Sequence, residues 1–476
     1  MCEHCNRREF LEVSGLGSLL LTSFTGSYVW AQESPPRKRE KAKICVIFAG
    51  NPGPADRGWN MDAQQMETAR SCLEEIQQRL GNVELVIGQS RGPEETTALL
   101  ERTGPGCPVL ILNMHIGALL RMIEPVLKGG HPTVVFSLPA SGHDWMYPPR
   151  WQREGHPMTL LASSDWSELE RAIRLLRVIP LLQQTRILLF PPARGTPPAC
   201  SPEQVKARLG AEVVAVQHER FDEMLTKVDE GLVQAEAERW TKNAKAIIEP
   251  TQEDILKAAR VSIALQQLME EEQADALAVG TCMGWLSRGF PCLGFTRLRD
   301  KGLPAACEGD MDSLLTMVIM QYAFDLPGFQ GNATFDTAKN AVWTAHCTAP
   351  LKMNGANGPE YPYLLRGHSE VGGSGCVPEV QYPVGQSVTR MKLINLDTIL
   401  LSTAEIIEVP EKSVRACRSQ IVTRVKDAAK MMFNWGGGVL EGDMMTLLHR
   451  VVFFGDHAQS VRHLAHLMKF NVIEEG

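Results

Sequence analysis

The sequence predicts an α/β protein in which two doubly wound parallel-sheet units precede a C-terminal α+β domain with a β-rich part. Short apolar runs alternate with helical patterns through residues 43–300, whereas glycine, proline and strand-like runs prevail after about residue 341. Strands that alternate with helices are typical of a parallel sheet with helices on its faces. The 476 residues, 44% hydrophobic and 22% charged, are enough for several hydrophobic cores.

The first α/β unit is predicted over residues 43–180. It begins with the apolar run 43–49, which ends at a Gly-Asn-Pro-Gly turn, and a long helical pattern follows over 61–80. Turn residues that interrupt an apolar run mark the end of a strand. The alternation continues with strands at 83–87, 108–113 and 133–137 and with helices at 94–103 and 116–127.

The second α/β unit is predicted over residues 181–300. Its first strand, 186–190, ends at two prolines. Neither this strand nor the first strand of the preceding unit is followed by Gly-x-Gly-x-x-Gly or a P-loop, which argues against dinucleotide and nucleoside-triphosphate sites. The remaining predicted strands are 212–216, 246–249 and 276–279, and the predicted helices are 221–226 and 252–272.

The C-terminal domain is predicted over residues 301–476. Strand-like apolar runs occur at 391–395 and 398–402, and helical patterns occur at 411–425 and 456–468. The mixture predicts a domain that is mainly β, with a few helices.

The first 31 residues resemble a twin-arginine export signal, and residues 32–42 are predicted to be a linker. Arg7 and Arg8 precede Phe-Leu and a weakly apolar stretch, and Ala31 is the expected last residue of the signal. The resemblance implies export to the periplasm or another extracytoplasmic space. An amphipathic N-terminus or a membrane anchor is the alternative. Later segments lack the roughly 18 apolar residues of a span, so no membrane contact is expected after cleavage.

Charge and cysteine usage limit the classes of function. The formal net charge of −7 argues against a nucleic-acid binder, because phosphate recognition usually needs a basic face. Most of the twelve cysteines stand singly within apolar runs. They are therefore predicted to be buried free thiols and not a disulfide framework.

The segment 304–350 contains charged and metal-capable side chains within a largely apolar stretch: Glu308, Asp310, Asp312, Asp336 and His346. Charges and an imidazole in a buried region are typical of a divalent-metal or acid/base site. Glu308 follows a short strand-like run and precedes a long apolar helix, where a doubly wound sheet places its ligands. A helix cap is the alternative role, which Asp310 or Asp312 could equally fill.

Four short motifs after residue 276 support a family resemblance. They are Phe-Pro-Cys-Leu-Gly-Phe at 290–295, Gly-Leu-Pro-Ala-Ala-Cys-Glu-Gly-Asp at 302–310, Ala-His-Cys-Thr-Ala-Pro at 345–350 and Leu-His-Arg-Val-Val-Phe-Phe-Gly-Asp at 448–456. With the two α/β units, they resemble the fucose and arabinose isomerases and their many uncharacterised relatives. The resemblance covers nearly all of the chain after the signal.

The resemblance implies a Mn²⁺-type ion held by two acidic residues and a C-terminal histidine, in a homo-oligomer. The acids would move a proton between neighbouring carbons of an open-chain sugar. On this basis Glu308 is the first acid and His449 is the C-terminal histidine ligand. A metal bound to two sugar oxygens stabilises the enediolate that forms when a carboxylate removes the proton.

The second acid departs from the family pattern. Asn332 stands where an aspartate is expected, and an amide oxygen can bind a metal but cannot act as a base. Asp336 is the predicted replacement if this segment curls to bring positions i and i+4 together. His346 is a further predicted ligand or, alternatively, a hydrogen-bonded core histidine.

Three side chains are predicted to contact the sugar. Trp59, in the loop after the first strand, and Trp435, before three glycines, are candidates for stacking on the sugar. Either tryptophan could instead serve a subunit interface. His368 lies in a glycine-rich loop. The alternative is that this segment is an ordinary polar loop that does not contact the substrate.

The leading hypothesis is an exported, metal-dependent aldose–ketose isomerase that acts on a fucose- or arabinose-like sugar. The first alternative is a carbohydrate-binding relative with altered or no catalytic activity, which Asn332 favours. A periplasmic solute-binding protein is the second alternative, since export and two α/β lobes fit it. That class explains neither the Glu-Gly-Asp segment nor the β-rich C-terminal domain.

Overall fold

The computed structural model describes residues 39–53, 61–139, 143–410, 416–436, 446 and 448–475. The predicted export signal therefore lies outside the described residues, as do Trp59 and most of the predicted linker. Among the described helices, none combines the length and the apolar character needed to cross a membrane.

The first unit is a five-stranded parallel sheet in the order β4-β1-β5-β6-β7. Its strand β1 is buried except at Lys43, because parallel strands with helices on both faces are covered on both sides. The strands are β1 (Ala42–Ala49), β2 (Pro52–Gly53), β3 (Met61–Asp62), β4 (Val83–Ser90), β5 (Val109–Asn113), β6 (Thr133–Ser137) and β7 (Met158–Ala162), with β2 and β3 as a separate short pair. The helices are α1 (Ala63–Leu80), α2 (Pro93–Thr103), α3 (Ala118–Met122), α4 (Glu124–Gly129), α5 (Tyr147–Arg153) and α6 (Glu168–Leu182).

The second unit is a four-stranded parallel sheet in the order β11-β10-β8-β9. Its strands are β8 (Arg186–Phe190), β9 (Glu212–Ala215), β10 (Ala276–Val279) and β11 (Ala305–Ala306). Its helices are α7 (Pro202–Leu209), α8 (His218–Lys227), α9 (Glu230–Asn243), α10 (Gln252–Glu271) and α11 (Cys292–Asp300). This sheet continues past the predicted boundary at residue 300, because β11 pairs with β10.

The predicted strand over 246–249 is wrong. Ile247 forms only an isolated bridge with Leu365, and the segment does not join the parallel sheet. Ile247 and Ile248 are exposed, so a short apolar run did not mark a buried strand here.

The C-terminal part is a mixed, mostly antiparallel sheet in the order β16-β19-β12-β13-β18-β17-β20. An additional pairing of β16 with β17 closes six of these strands into a barrel, and β20 adds to β17 in parallel. The helices are α12 (Met311–Phe324), α13 (Ala428–Gly436) and α14 (Ala458–Met468). The strands are β12 (Phe329–Asp336), β13 (Ala341–His346), β14 (Tyr363–Arg366), β15 (Val377–Val380), β16 (Ser387–Ile394), β17 (Thr398–Glu408), β18 (Ser419–Arg424), β19 (His449–Phe454) and β20 (Asn471–Glu474), of which β14 and β15 form a separate hairpin.

The predicted helix over 411–425 is wrong in its described part. Ser419–Arg424 is strand β18, which pairs with β13 on one side and with β17 on the other. Its central residues Ile421, Val422 and Thr423 are β-branched and buried, a composition that suits a central strand. The pairing partners lie far away in the sequence, so tertiary contacts overrode the local helical pattern.

Helix α12 connects the second unit to the barrel. Twelve of its fourteen residues are buried, so it lies in the centre of the structure and not on its surface. The turn between β11 and α12 contains Glu308, and it lies against the barrel wall formed by β12, β13 and β19.

Candidate metal centre

Glu308 lies in a tight turn between β11 and α12. Its backbone adopts the left-handed region, with φ 59° and ψ 21°, which is uncommon for a residue with a side chain. Gly309 follows at φ 65°, and a Cβ at that position would come within 2.3 Å of the Pro192 carbonyl oxygen. Local strain of this kind is typical of functional sites. The close approach requires glycine at 309 and holds the Glu308 backbone in place.

Two histidines reach the same place from the barrel wall. His449 begins β19 and His346 ends β13, and β12 runs between these two strands. Asn332 in β12 pairs directly with His449 on one side and with Ala345 on the other. Directly opposed residues of antiparallel strands project to the same face, so the Asn332 side chain lies beside that of His449.

Four buried polar atoms at this place have no hydrogen-bond partner. They are Glu308 Oε2, His346 Nε2, His449 Nε2 and Asn332 Oδ1. Ligand atoms of the acid and both histidines lie within 4.8 Å of one another, and Glu308 Oε2 is 3.3 Å from His449 Nε2. A buried unsatisfied polar group costs about 1–3 kcal/mol, so a convergent set is expected to serve a ligand. Carboxylate and imidazole donors suit a divalent metal ion.

The protonation of His449 is set by Asp310. The Nδ1 atom of His449 lies 2.9 Å from Asp310 Oδ2, and an ionised carboxylate can only accept a hydrogen bond. Nδ1 therefore donates, and the lone pair of Nε2 is directed towards Glu308. A carboxylate behind a ligating imidazole is a common support in metal sites.

His346 is held differently from His449. The Cys347 backbone N–H donates to its Nδ1 atom at 3.0 Å, and Thr348 Oγ1 lies 3.3 Å from the same atom. A neutral ring whose Nδ1 accepts carries its proton on Nε2, so a metal at Nε2 would require this proton to move to Nδ1, where the threonine hydroxyl can accept it. Burial, with the nearby His449, lowers the pKa of His346 to about 3, so this ring is neutral, as a ligand must be.

The charges at the centre favour a bound cation. Burial opposes ionisation of Glu308, but the facing imidazoles of His449 and His346 lower its pKa to about 2. Burial also opposes a charge on His449, yet Asp310 and Glu308 raise its pKa. Two carboxylates thus stabilise a positive charge at this point, and a divalent ion would supply it.

A buried hydrogen-bond network supports the turn and the ligands. Gln330 in β12 accepts from the Cys307 backbone N–H at 3.0 Å and from Arg299 Nη2 at 3.2 Å, and it donates to the Cys307 carbonyl at 3.1 Å. Lys392 in β16 donates to Asp310 at 2.9 Å, with both side chains fully buried. These contacts fasten the Glu308 turn to the barrel wall.

Sequence reasoning missed Gln330 and Lys392. It named Asp310 among the charged side chains of the segment 304–350 and as an alternative helix cap. Asp310 does cap α12, accepting from Ser313, but it also orients His449. A signal for Lys392 was present, since a single lysine within the apolar run 391–394 is unusual for a buried strand. Its partner could not be read from the sequence, because Asp310 is far away along the chain.

Asp336 does not join the centre, and its prediction as the second acid is wrong. The expected curl is absent, because Phe329–Asp336 is a continuous strand. Four residues along a strand span about 13 Å, so Asp336 lies well away from Asn332. Its carboxylate accepts from the Lys339 backbone N–H in the turn that leads to β13. Asn332, not an acid, therefore occupies the expected position.

His368 lies close to the centre. It is 5% exposed, its ring stacks on Phe290 with centroids 4.7 Å apart, and its Nδ1 atom has no partner. Burial lowers its pKa, and the negative charges of Glu370 and Glu308 act in the opposite direction. Phe290 packs in one buried cluster with Ala345 and Cys347, the neighbours of His346. Contact of His368 with a substrate stays a prediction.

Trp435 is a core residue, and its prediction as a sugar-stacking side chain is wrong. It is 7% exposed, it packs edge-on against Phe335, and the guanidinium of Arg450 lies 3.6 Å from its ring centroid. Its indole N–H donates to Glu475. The Arg450 guanidinium lies over one face of the ring and the side chain is nearly fully buried, so a sugar could not stack on it.

Trp435→Ala is expected to lower the free energy of unfolding by about 3–5 kcal/mol, because it empties a buried aromatic site. Metal content should stay unchanged, since Trp435 is not part of the Glu308, His346 and His449 group that could hold a metal ion. Denaturant unfolding and elemental analysis of the same sample would test both expectations. A stable variant with weakened sugar binding would instead place Trp435 at the substrate.

Comparison with known proteins assigns no family. No family model matches the chain, and no curated protein matches it. Among solved structures, a two-component system response regulator/GGDEF domain protein aligns with a TM-score of 0.26 and 15% sequence identity, over 59% of this chain and 97% of that one. The structure itself shows two parallel-sheet α/β units, a mostly antiparallel C-terminal barrel, and a Glu308, His346 and His449 group that could hold a metal ion.

Proposed function

We propose that the protein is a divalent-metal-dependent aldose–ketose isomerase acting on a fucose- or arabinose-like sugar, with the ion held by Glu308, His346 and His449. The observation behind this proposal is that unpartnered ligand atoms of these three residues lie within 4.8 Å of one another. Asn332 Oδ1, also unpartnered, is a fourth oxygen on the same face as His449. The resemblance to the sugar isomerases supplies the choice of Mn²⁺ and of the reaction.

Glu308 and His449 would have different roles in the reaction. A bound divalent ion polarises neighbouring sugar oxygens and so makes the adjacent C–H bond more acidic. Glu308 is ionised and its side chain is 26% exposed, so one of its oxygens can face the ion while the other accepts a proton. His449 is held by Asp310, and the buried walls of the centre limit the access of water.

A second candidate function is favoured by Asn332. The position nearest the histidines has an amide where the isomerase pattern has an acid, and Asp336 lies too far along β12 to replace it. Proton transfer by a positioned acid or base typically contributes a factor of 10² to 10⁴ in rate. A metal-containing carbohydrate-binding protein with little or no turnover is therefore the alternative.

The direct test is elemental analysis of the purified protein, followed by an assay for ketose formation from L-fucose, D-arabinose and L-arabinose with added Mn²⁺. About one ion per chain together with turnover supports the isomerase. One ion without turnover, but with sugar binding in calorimetry, supports the carbohydrate-binding alternative. A protein that takes up no divalent ion would refute both.

Asn332→Asp is expected to raise the isomerase rate by at least about 10-fold, because it restores a carboxylate at the position of the missing acid. The measurement is initial rates with Mn²⁺ for the variant and the wild type. Asn471→Asp is a matched control, since it makes the same charge change on exposed β20. A rate that does not rise, with metal still bound, would argue against isomerase chemistry in this chain.

A further inference from the structure

The interior of the C-terminal barrel contains a buried arginine. Arg390 in β16 is 0% exposed, and its Nη1 donates to Thr344 Oγ1 at 2.9 Å and to Thr423 Oγ1 at 3.0 Å. Those threonines belong to β13 and β18, and neither strand is a neighbour of β16 in the sheet. The Arg390 side chain therefore crosses the interior of the barrel. None of these three residues belongs to the Glu308, His346 and His449 group.

The other edge of this guanidinium has no partner. Arg390 Nε and Nη2 are buried and make no hydrogen bond in the structure. These two atoms form the edge that binds a carboxylate or another anion through two parallel N–H bonds. Ser402 pairs directly with Arg390 across β16 and β17, and its buried Oγ also has no partner. Two neighbouring strands thus carry three unsatisfied buried polar atoms on residues that share one face of the sheet.

Among the described residues, the charges around Arg390 leave an excess of one positive charge. The charged groups in this part of the chain that act on it are Arg450 and Glu475. Glu475 is already used, because it accepts from Nε and Nη2 of Arg450 and from the Trp435 indole. Two guanidinium groups therefore share one carboxylate. A buried charge without a counter-charge is costly, so a further negative group is expected beside Arg390.

We propose that the barrel interior binds one small monovalent anion between the Nε–Nη2 edge of Arg390 and the Ser402 hydroxyl. Because Arg390 and the Ser402 hydroxyl are buried, the proposed ligand is a small ion such as a halide or nitrate. Such an anion neutralises the guanidinium and satisfies the three orphan donors. It stabilises the folded barrel, because it binds the native state and not the unfolded chain. The site is separate from the metal centre and does not depend on the proposed isomerase activity.

Bromide is the probe, because it resembles chloride in charge and gives an anomalous X-ray signal. Crystals of the full chain grown in sodium bromide should show an anomalous peak at hydrogen-bond distance from Arg390 Nε and Nη2 and from Ser402 Oγ. Ordered water in that place, with no anomalous signal, would overturn the proposal.

Thermal unfolding provides an independent readout. The wild-type unfolding midpoint should rise in bromide relative to gluconate at equal ionic strength, since gluconate is too large to enter. Ser402→Ala should reduce this difference while retaining Arg390, and Arg390→Met should remove it. Arg424→Met, on the exposed end of β18, is the matched control and should keep the full difference. If bromide raised the unfolding midpoint equally in Ser402→Ala, Arg424→Met and the wild type, the proposal would be contradicted, even if Arg390→Met failed to fold.

Discussion

Glu308→Gln is expected to weaken divalent-metal binding by at least about 100-fold and to abolish turnover. Loss of a residue that only supports a ligand typically costs 10- to 100-fold in metal affinity, so loss of a charged ligand should cost more. Gln has nearly the same size as Glu, so the turn between β11 and α12 should keep its shape. The measurements are metal titration by calorimetry and ketose formation with Mn²⁺.

Asp336→Asn is the matched control for this experiment. It removes a carboxylate from the same region, but one that lies at the far end of β12 in a turn. Its metal affinity and turnover should stay within about twofold of the wild type, as is usual for a surface substitution away from a site. If Glu308→Gln retained metal and activity while Asp336→Asn lost them, the assignment of the centre would be wrong.

Asp310→Asn is expected to destabilise the protein by about 3–5 kcal/mol, the usual cost of breaking a buried ion pair from one side. Asp310 faces Lys392 at 2.9 Å and His449 at 2.9 Å, and all three side chains are 0% exposed. Neutralising the carboxylate removes the counter-charge of Lys392 and the charged acceptor of the His449 Nδ1–H, and it frees His449 to rotate. Denaturant unfolding measures the loss of stability, and metal titration should show weaker binding in the same variant.

The double variant Asp310→Asn/Lys392→Met separates the two roles of Asp310. Removing the buried ammonium together with the carboxylate should recover most of the stability, because paired removal of buried charges is often nearly neutral. Metal affinity should stay low, since His449 still lacks its carboxylate. If the double variant recovered metal affinity as well, Asp310 would act only through the fold and not through His449.

Local sequence patterns identified the fold class because they report burial. The apolar run at 43–49 and the alternation that follows it predicted the parallel sheets, and the structure confirms two of them before a β-rich part. The same patterns failed at 246–249 and 411–425, where burial and pairing depend on contacts with distant segments. A six-residue run such as Ser419–Arg424 becomes a strand because β13 and β17 lie on either side of it.

The residue types of the candidate centre were visible in the sequence, but their arrangement was not. Glu308 and His346 stood out as charged or metal-capable groups in apolar surroundings, His449 was expected from the family resemblance, and the structure brings the three together. The register of β12 with β19 placed Asn332 beside His449 and left Asp336 remote. Likewise, only the packing of α12 against the barrel paired Asp310 with Lys392 and His449. A sequence reports which side chains are available, whereas hydrogen bonds between distant strands decide which of them meet.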